Sequence, residues 1–263
     1  MAGCLRWVVA SWLVIAVTGG AYGELARAKD HPPEPGVPLQ AILELETTAR
    51  LLAILLNSGR AVVNDNQELL DDPAKGDKGF TAEAFEHQLL DMFRAHASLD
   101  LRELQEAHLP QRTKDLLRAL VEVSKQVVAE SQDELNRQGV GFKGFIPAVF
   151  GSRVAGRFAE RTGVRLKQTS LQPRNPANAP DAFERAALEQ FADPSHPRER
   201  VISEVAAGDK ALRLLFPLYA TRGCLACHGE PKGAKDKIGY PMEGLRLGQN
   251  AGAISVTLPI FHR

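Results

Sequence analysis

Apolar positions recur at helical spacing through the first half of the chain and alternate as in strands through much of the second. LQAILELETTARLLAILLNSGRAVV (39–63) reads as one long helix, apolar nearly all round between Leu51 and Leu56. A helix apolar on every side is one that other elements surround. NDNQELLDDPAKGDKG (64–79) is polar and punctuated by Pro and Gly, so it reads as a loop. Thr81 offers an N-cap, with Phe80 and Phe85 spaced as a hydrophobic staple. The helix it opens, to residue 97, puts Phe85, Leu89, Met92, Phe93 and His96 on one face. Residues 113–136 form a further amphipathic helix, with Leu116, Leu120, Val123 and Val127 at helical spacing. FKGFIPAVF (142–150) then leads into a short helix ending near Arg161.

Past Gly163 the character changes. VRLKQTS (164–170) alternates as a strand, and LQPRNPANAP (171–180) is an extended loop because its three prolines forbid a helix. Asp181 followed by Glu184 has the form of a capping box opening a helix to about Phe191. RVISEVAA (200–207) and ALRLLFPLYA (211–220) read as antiparallel strands joined by a tight turn at Gly208-Asp209-Lys210, and AGAISVTLPI (251–260) as a last strand. Helices first and an antiparallel sheet later predict an α+β fold. The expectation is a single domain over 39–263, mainly helical to 162 and sheet-based after it.

Composition narrows the function classes. Lys+Arg and Asp+Glu both number 32, so no net positive charge argues for nucleic acid. Hydrophobic residues are 44% of the chain, enough for a core and too few for a multispanning membrane protein. Arg6 precedes the apolar run WVVASWLVIAV (7–17), followed by Ala21-Tyr22-Gly23 and Ala26-Arg27-Ala28 as cleavage-site candidates. Residues 1–28 are therefore expected to be a signal peptide and 29–38 a Pro-rich linker, which sends the protein to the periplasm. An uncleaved anchor is the alternative, and the one case giving membrane contact. Cys4 lies ahead of the apolar run, so the mature chain is left with Cys224 and Cys227.

Those two cysteines stand in TRGCLACHGEPKG (221–233), two residues apart with His228 directly after. A disulfide across so small a loop would constrain the unfolded chain little. Zinc needs four ligands, and no second Cys or His pair at suitable spacing is present. A thioredoxin-type pair belongs after an early strand, at the start of a helix in a βαβ context, whereas this one lies near the end of the chain. C-x-x-C-H reads as a c-type haem attachment site: two thiols joined to the two vinyl groups of one porphyrin edge, with the adjacent imidazole on the iron. A dithiol redox site stays as the alternative. The motif stands near the end of the chain, unlike that of small cytochromes c, and the Gly- and Pro-rich stretch 229–244 after it is incapable of the long helix that four-helix-bundle cytochromes have there.

RTGVRLKQTSLQPRNPANAPDAFERAALEQF, LFPLYATRGCLACHGEP and GYPMEGLRLGQNAGAISVTLPI together carry a resemblance. The chain is similar to a family of exported c-type haem proteins with a PAS-like fold. The match is clear over roughly 110–260, and its most specific signs are Arg174-Asn175-Pro176-x-Asn178-x-Pro180, the CxxCH before the final strand, and Gly252-Ala253-Ile254-Ser255-Val256. The resemblance implies a PAS-like antiparallel sheet with N-terminal helices packed on it and one covalently attached haem c between. Some relatives are sensory modules joined to signalling segments, and no output module is expected after Arg263.

The second axial ligand is open at this level. The resemblance implies that an upstream cysteine or another helix residue can fill the position, and the mature chain has no spare cysteine. Methionine and histidine are the side chains that otherwise complete haem iron. Met92 and His96 rank first, as equals, and Met242 follows; an unfilled sixth position is the other case. His87 falls on the opposite helix face, and His31, His108, His196 and His262 lie near element ends or loops. Arg174, on a rigid loop with Asn178, is a candidate to hold a haem propionate, or else simply orders that loop. Lys232, Lys235 and Lys237 form either a docking patch for an acidic redox partner or a solvated loop. No catalytic constellation is recognisable, so the chain is not expected to be an enzyme, with haem peroxidase chemistry the outlying exception. The expected roles are one-electron transfer with a partner protein, or haem-based sensing of a small gas ligand or redox state by protein contact.

Overall fold

A computed structural model describes residues 37–206 and 210–260. In chain order the helices are α1 (Leu39–Asp65), α2 (Gln67–Leu70), α3 (Ala82–Ala97), α4 (Gln111–Glu130), α5 (Gln132–Leu135), α6 (Pro147–Thr162), α7 (Ala182–Ala192) and α8 (Arg222–His228). The strands are β1 (Arg165–Thr169), β2 (Ile202–Val205), β3 (Ala211–Tyr219) and β4 (Asn250–Pro259). Helices and an antiparallel sheet make an α+β architecture. The expected signal peptide with Cys4, most of the Pro-rich linker, His31, His262 and the turn residues Gly208 and Asp209 lie outside the described residues.

The long first helix is the centre of the core. Leu52 to Leu56 are all buried because α3, α4, α6 and the β3–β4 face of the sheet each cover a side of α1. Phe85, Phe93, Phe145, Phe150 and Phe158 fill the spaces between the helices with no exposed surface. Complete burial of one such ring is worth about 1.5–3 kcal/mol. Among the described residues no helix is long and apolar enough to cross a membrane.

Local signals account for most element ends. Thr81 Oγ1 accepts from the Ala84 N–H, and Phe80 meets Phe85 edge-on with ring centroids 5.9 Å apart, so cap and staple both form. Asp181 and Glu184 close a reciprocal capping box at the start of α7. Pro147 stands at the first helical position of α6, where its missing N–H costs nothing. Two expectations need correction. The 64–79 segment is not all loop: α2 forms within it, anchored by the fully buried Leu70. The helix expected over 113–136 breaks at Ser131, whose hydroxyl donates to the Val127 carbonyl at 2.8 Å, and α5 restarts it. The 171–180 loop carries one 3₁₀ turn at Pro176–Asn178.

The four strands lie in the order β1-β4-β3-β2, every neighbour antiparallel. Leu166, Val256 and Leu214 are in register across three strands and face the helices. Alternation sends Ala253 and Leu215 to the other face, where Ala187, Leu188 and Phe191 of α7 cover them. The β3–β4 register slips between Leu218 and Tyr219, leaving Ala251 without a partner.

Gly252 sits at that slip with φ of 132°, and a Cβ there would lie 2.4 Å from the Thr169 carbonyl oxygen. Gly252→Ala is therefore expected to cost about 3 kcal/mol through backbone strain and overpacking. A urea titration reads this as a lower midpoint at unchanged slope. An unchanged midpoint would mean that β1 yields to the methyl group.

Candidate functional site

The register slip delivers α8. Beyond Tyr219 the chain leaves the sheet at Ala220, whose N–H donates to the Gln249 carbonyl and whose carbonyl accepts from the Gly248 N–H, both at 2.8 Å. Thr221 is the extended N-cap of α8, and the Cys224 sulfur sits against it, 3.3 Å from Thr221 Oγ1. Gly223 lets α8 approach α1 closely: a Cβ there would be 2.2 Å from Asn64 Nδ2. Positions 224, 227 and 228 fall within about one turn of helix, with Cys224 and His228 on the cleft side and Cys227 nearer Asp236, Arg174 and Lys237. Both thiols are free and half-buried.

Cys224 and His228 border a cleft of about 690 Å³. That is within the range of cofactor pockets, about 300–1,000 Å³. One wall is the half-buried α1 stripe Asn57, Arg60, Ala61 and Asn64, with the core residue Ile54 at its end. Met92 and His96 of α3 contribute a second wall, and Phe216 and Leu218 of β3 a third. Arg50 and Arg198 add positive charge at the boundary. His96 is exposed and makes one long contact, 3.5 Å from its Nδ1 to Ser58 Oγ. Met92 is half-buried and packs against the core. So the shared apolar face expected of α3 holds for Phe85, Leu89 and Phe93, while Met92 and His96 turn to the cleft edge.

Arg60 carries an unmet demand. Its Nη1 donates to Asn57 Oδ1 at 2.9 Å, but its Nε is cut off from solvent and has no acceptor. Burial lowers its pKa to about 10, against a smaller opposing pull from Cys224. A buried donor without a partner costs free energy, and Arg60 also places positive charge at the cleft wall.

Behind α8 lies a second cluster, outside the cleft. Arg174 donates through Nε to Glu243 Oε1 at 2.6 Å and through Nη2 to Glu243 Oε2 at 3.0 Å. Its Nη1 donates to Asp236 at 2.6 Å and its Nη2 also to the Cys227 carbonyl at 2.7 Å. Glu243 Oε2 in turn stands 2.7 Å from His228 Nδ1. A carboxylate only accepts, so the ring nitrogen is the donor. Burial pushes the Glu243 carboxyl up, but the hydrogen bonds from Arg174 and His228 outweigh it and hold it below the ordinary range. Burial also opposes ionisation of Asp236, and Arg174 with the N–H groups of Ile238 and Tyr240 overcomes it. Desolvation raises the Cys227 thiol.

The segment after the motif is tied down. Gly244 and Leu245 donate to the carbonyls of Gly229 and His228, and Met242 exchanges backbone bonds with Gly233 and Ala234. Lys237 pairs with Asp71 at 3.1 Å, so it is already engaged.

A family model described as Tll0287-like matches residues 39–259. The chain belongs to that family. The crystal structure of the cyanobacterial heme-protein Tll0287 is similar at 21% sequence identity, covering 59% of this chain and 98% of that one, with a TM-score of 0.41. No match was found among curated proteins.

Of the residues singled out in the sequence, the structure brings Cys224, His228, Met92 and His96 around one cleft, while Cys227, on the same short helix, does not line it. It does not bring Arg174, Asn178 or Met242 there. Arg174 is the hub of the cluster behind α8, with four hydrogen bonds from its guanidinium. Asn178 lies in the 3₁₀ turn, where its carbonyl accepts from Thr169 Oγ1 at 3.0 Å. Met242 is held by its backbone in the folded-back segment rather than in a loose stretch. His87 is exposed and paired with Asp91. Sequence reasoning missed Arg60, Asn57 and Asn64, which lie on a polar stripe of α1, and it missed Glu243 and Asp236 altogether.

Proposed function

We propose that this member of the Tll0287-like family is an exported c-type haem protein that transfers single electrons to and from a protein partner. The observation that carries the reading is the cleft that joins Cys224 and His228 on α8 with His96 and Met92 on α3. Haem, when bound, supplies a one-electron iron couple. Cys224 and Cys227 would hold it by thioethers, His228 Nε2 would bind one face of the iron, and Arg60, with Arg50 and Arg198, would face its carboxylates. Arg60 suits such a group: it lines the cleft, and one of its guanidinium N–H groups is buried without an acceptor. The family bears the name of a heme-protein, Tll0287, and membership in it supports the same reading.

A second side chain able to bind iron beside the cleft favours electron transfer, because two protein ligands leave no place for a gas. His96 is preferred over Met92, being the freer of the two. The finer expectations belong to this reading too: a PAS-like sheet carrying the site, removal of residues 1–28, a periplasmic location, and no enzymatic turnover. The test is a visible spectrum of the exported protein, oxidised, reduced and with carbon monoxide. Spectra of a c-type haem unmoved by carbon monoxide are expected. Ready binding of carbon monoxide by the wild type would transfer the conclusion to gas sensing, and a colourless exported protein would end the haem reading.

A further inference from the structure

His228 has two ring nitrogens, and the structure gives them different surroundings. Nδ1 faces Glu243 Oε2 at 2.7 Å, behind α8. With the proton fixed on Nδ1, Nε2 carries the lone pair, and it is the nitrogen left for a metal. Glu243 cannot swing away, because Arg174 grips both of its oxygens, at 2.6 and 3.0 Å. Arg174 is itself fixed by Asp236, whose side chain has no exposed surface, and by the Cys227 carbonyl. One guanidinium thereby locks the backbone of the motif and the acceptor of its histidine together.

A carboxylate is a stronger acceptor than a carbonyl. It pulls the Nδ1 proton outward and makes the imidazole a more electron-rich ligand, which favours ferric over ferrous iron. Arg174 tempers this by sharing the carboxylate charge. We propose that Glu243, gripped by Arg174, is the positioning residue of His228: it fixes which ring nitrogen is presented and holds the iron's reduction potential low. This rests on the haem reading above.

The experiment uses the full exported protein. Covalent haem is scored first on the denatured band, and the reduction potential is then measured by spectroelectrochemical titration at one pH. Glu243→Gln keeps the shape and removes the charge. It is expected to retain attached haem and to shift the ferric-to-ferrous ratio at fixed ambient potential at least tenfold toward ferrous, about 59 mV for a one-electron couple. Arg174→Lys keeps a positive charge but loses the two-oxygen grip that holds Glu243 on Nδ1, and is expected to move the potential the same way by a smaller amount. It also serves if Glu243→Gln fails to fold. An unmoved potential in a haem-loaded variant overturns the proposal, even where thermal stability falls, since that is the signature of a purely structural contact. Absence of haem from the wild type overturns the underlying reading as well, and the denatured band distinguishes the two failures.

Discussion

Replacing Cys224 and Cys227 together with serine is expected to abolish haem staining of the denatured protein while leaving the fold in place. Thioether bonds survive unfolding, whereas an axial contact from His228 does not. Both thiols are only half-buried, Cys224 at one edge of the cleft, and neither belongs to the clusters that hold the helices and sheet together. Serine there is expected to cost at most about 1 kcal/mol. Circular dichroism and thermal melting of the double variant check that stability is kept. Persistent staining in a folded double variant would show that the motif does not anchor haem.

His96→Ala is expected to open the iron. The His96 imidazole reaches the cleft with no partner closer than Ser58 at 3.5 Å, so binding a metal would break little. Its removal should give the ferrous protein a carbon monoxide complex that the wild type lacks. Met92→Ala should keep the wild-type spectrum and lose about 2 kcal/mol of stability, the low end for a buried methionine because Met92 is only half-buried. The reverse pattern would make Met92 the ligand. Wild-type spectra in both variants would exclude α3 as the source.

What could be read from the chain was what local chemistry decides. The Thr81 cap, the Phe80–Phe85 staple and the Asp181–Glu184 box each depend on residues within five positions, and each forms. The break at Ser131 escaped because a serine that bonds back to the preceding turn leaves the apolar spacing almost undisturbed. In the site, CxxCH marked α8 because sulfur is so scarce in this chain. Glu243 gave no such mark. It follows His228 by fifteen residues in an ordinary Gly-rich stretch, and only the fold-back of 229–249 brings the two together. Arg174 stood out in the sequence, but its direction depends on Asp236 and Glu243, both far along the chain. The Arg60 stripe was hidden for another reason: on a helix buried on its other sides, a few polar residues read as the solvent face.

The pairing of the first helix with the last strand also has a consequence for how the chain reaches this state. α1 packs directly on β3 and β4, so the centre of the core joins segments from opposite ends of the described chain. Contacts of such long sequence separation require closing a large loop before they contribute anything, which slows folding. Among the described strands β4 is synthesised last, and β1, which pairs with no other strand, waits for it, while β3 already has β2. The core is therefore sealed late, after the segment that carries Cys224 and Cys227 has already been made.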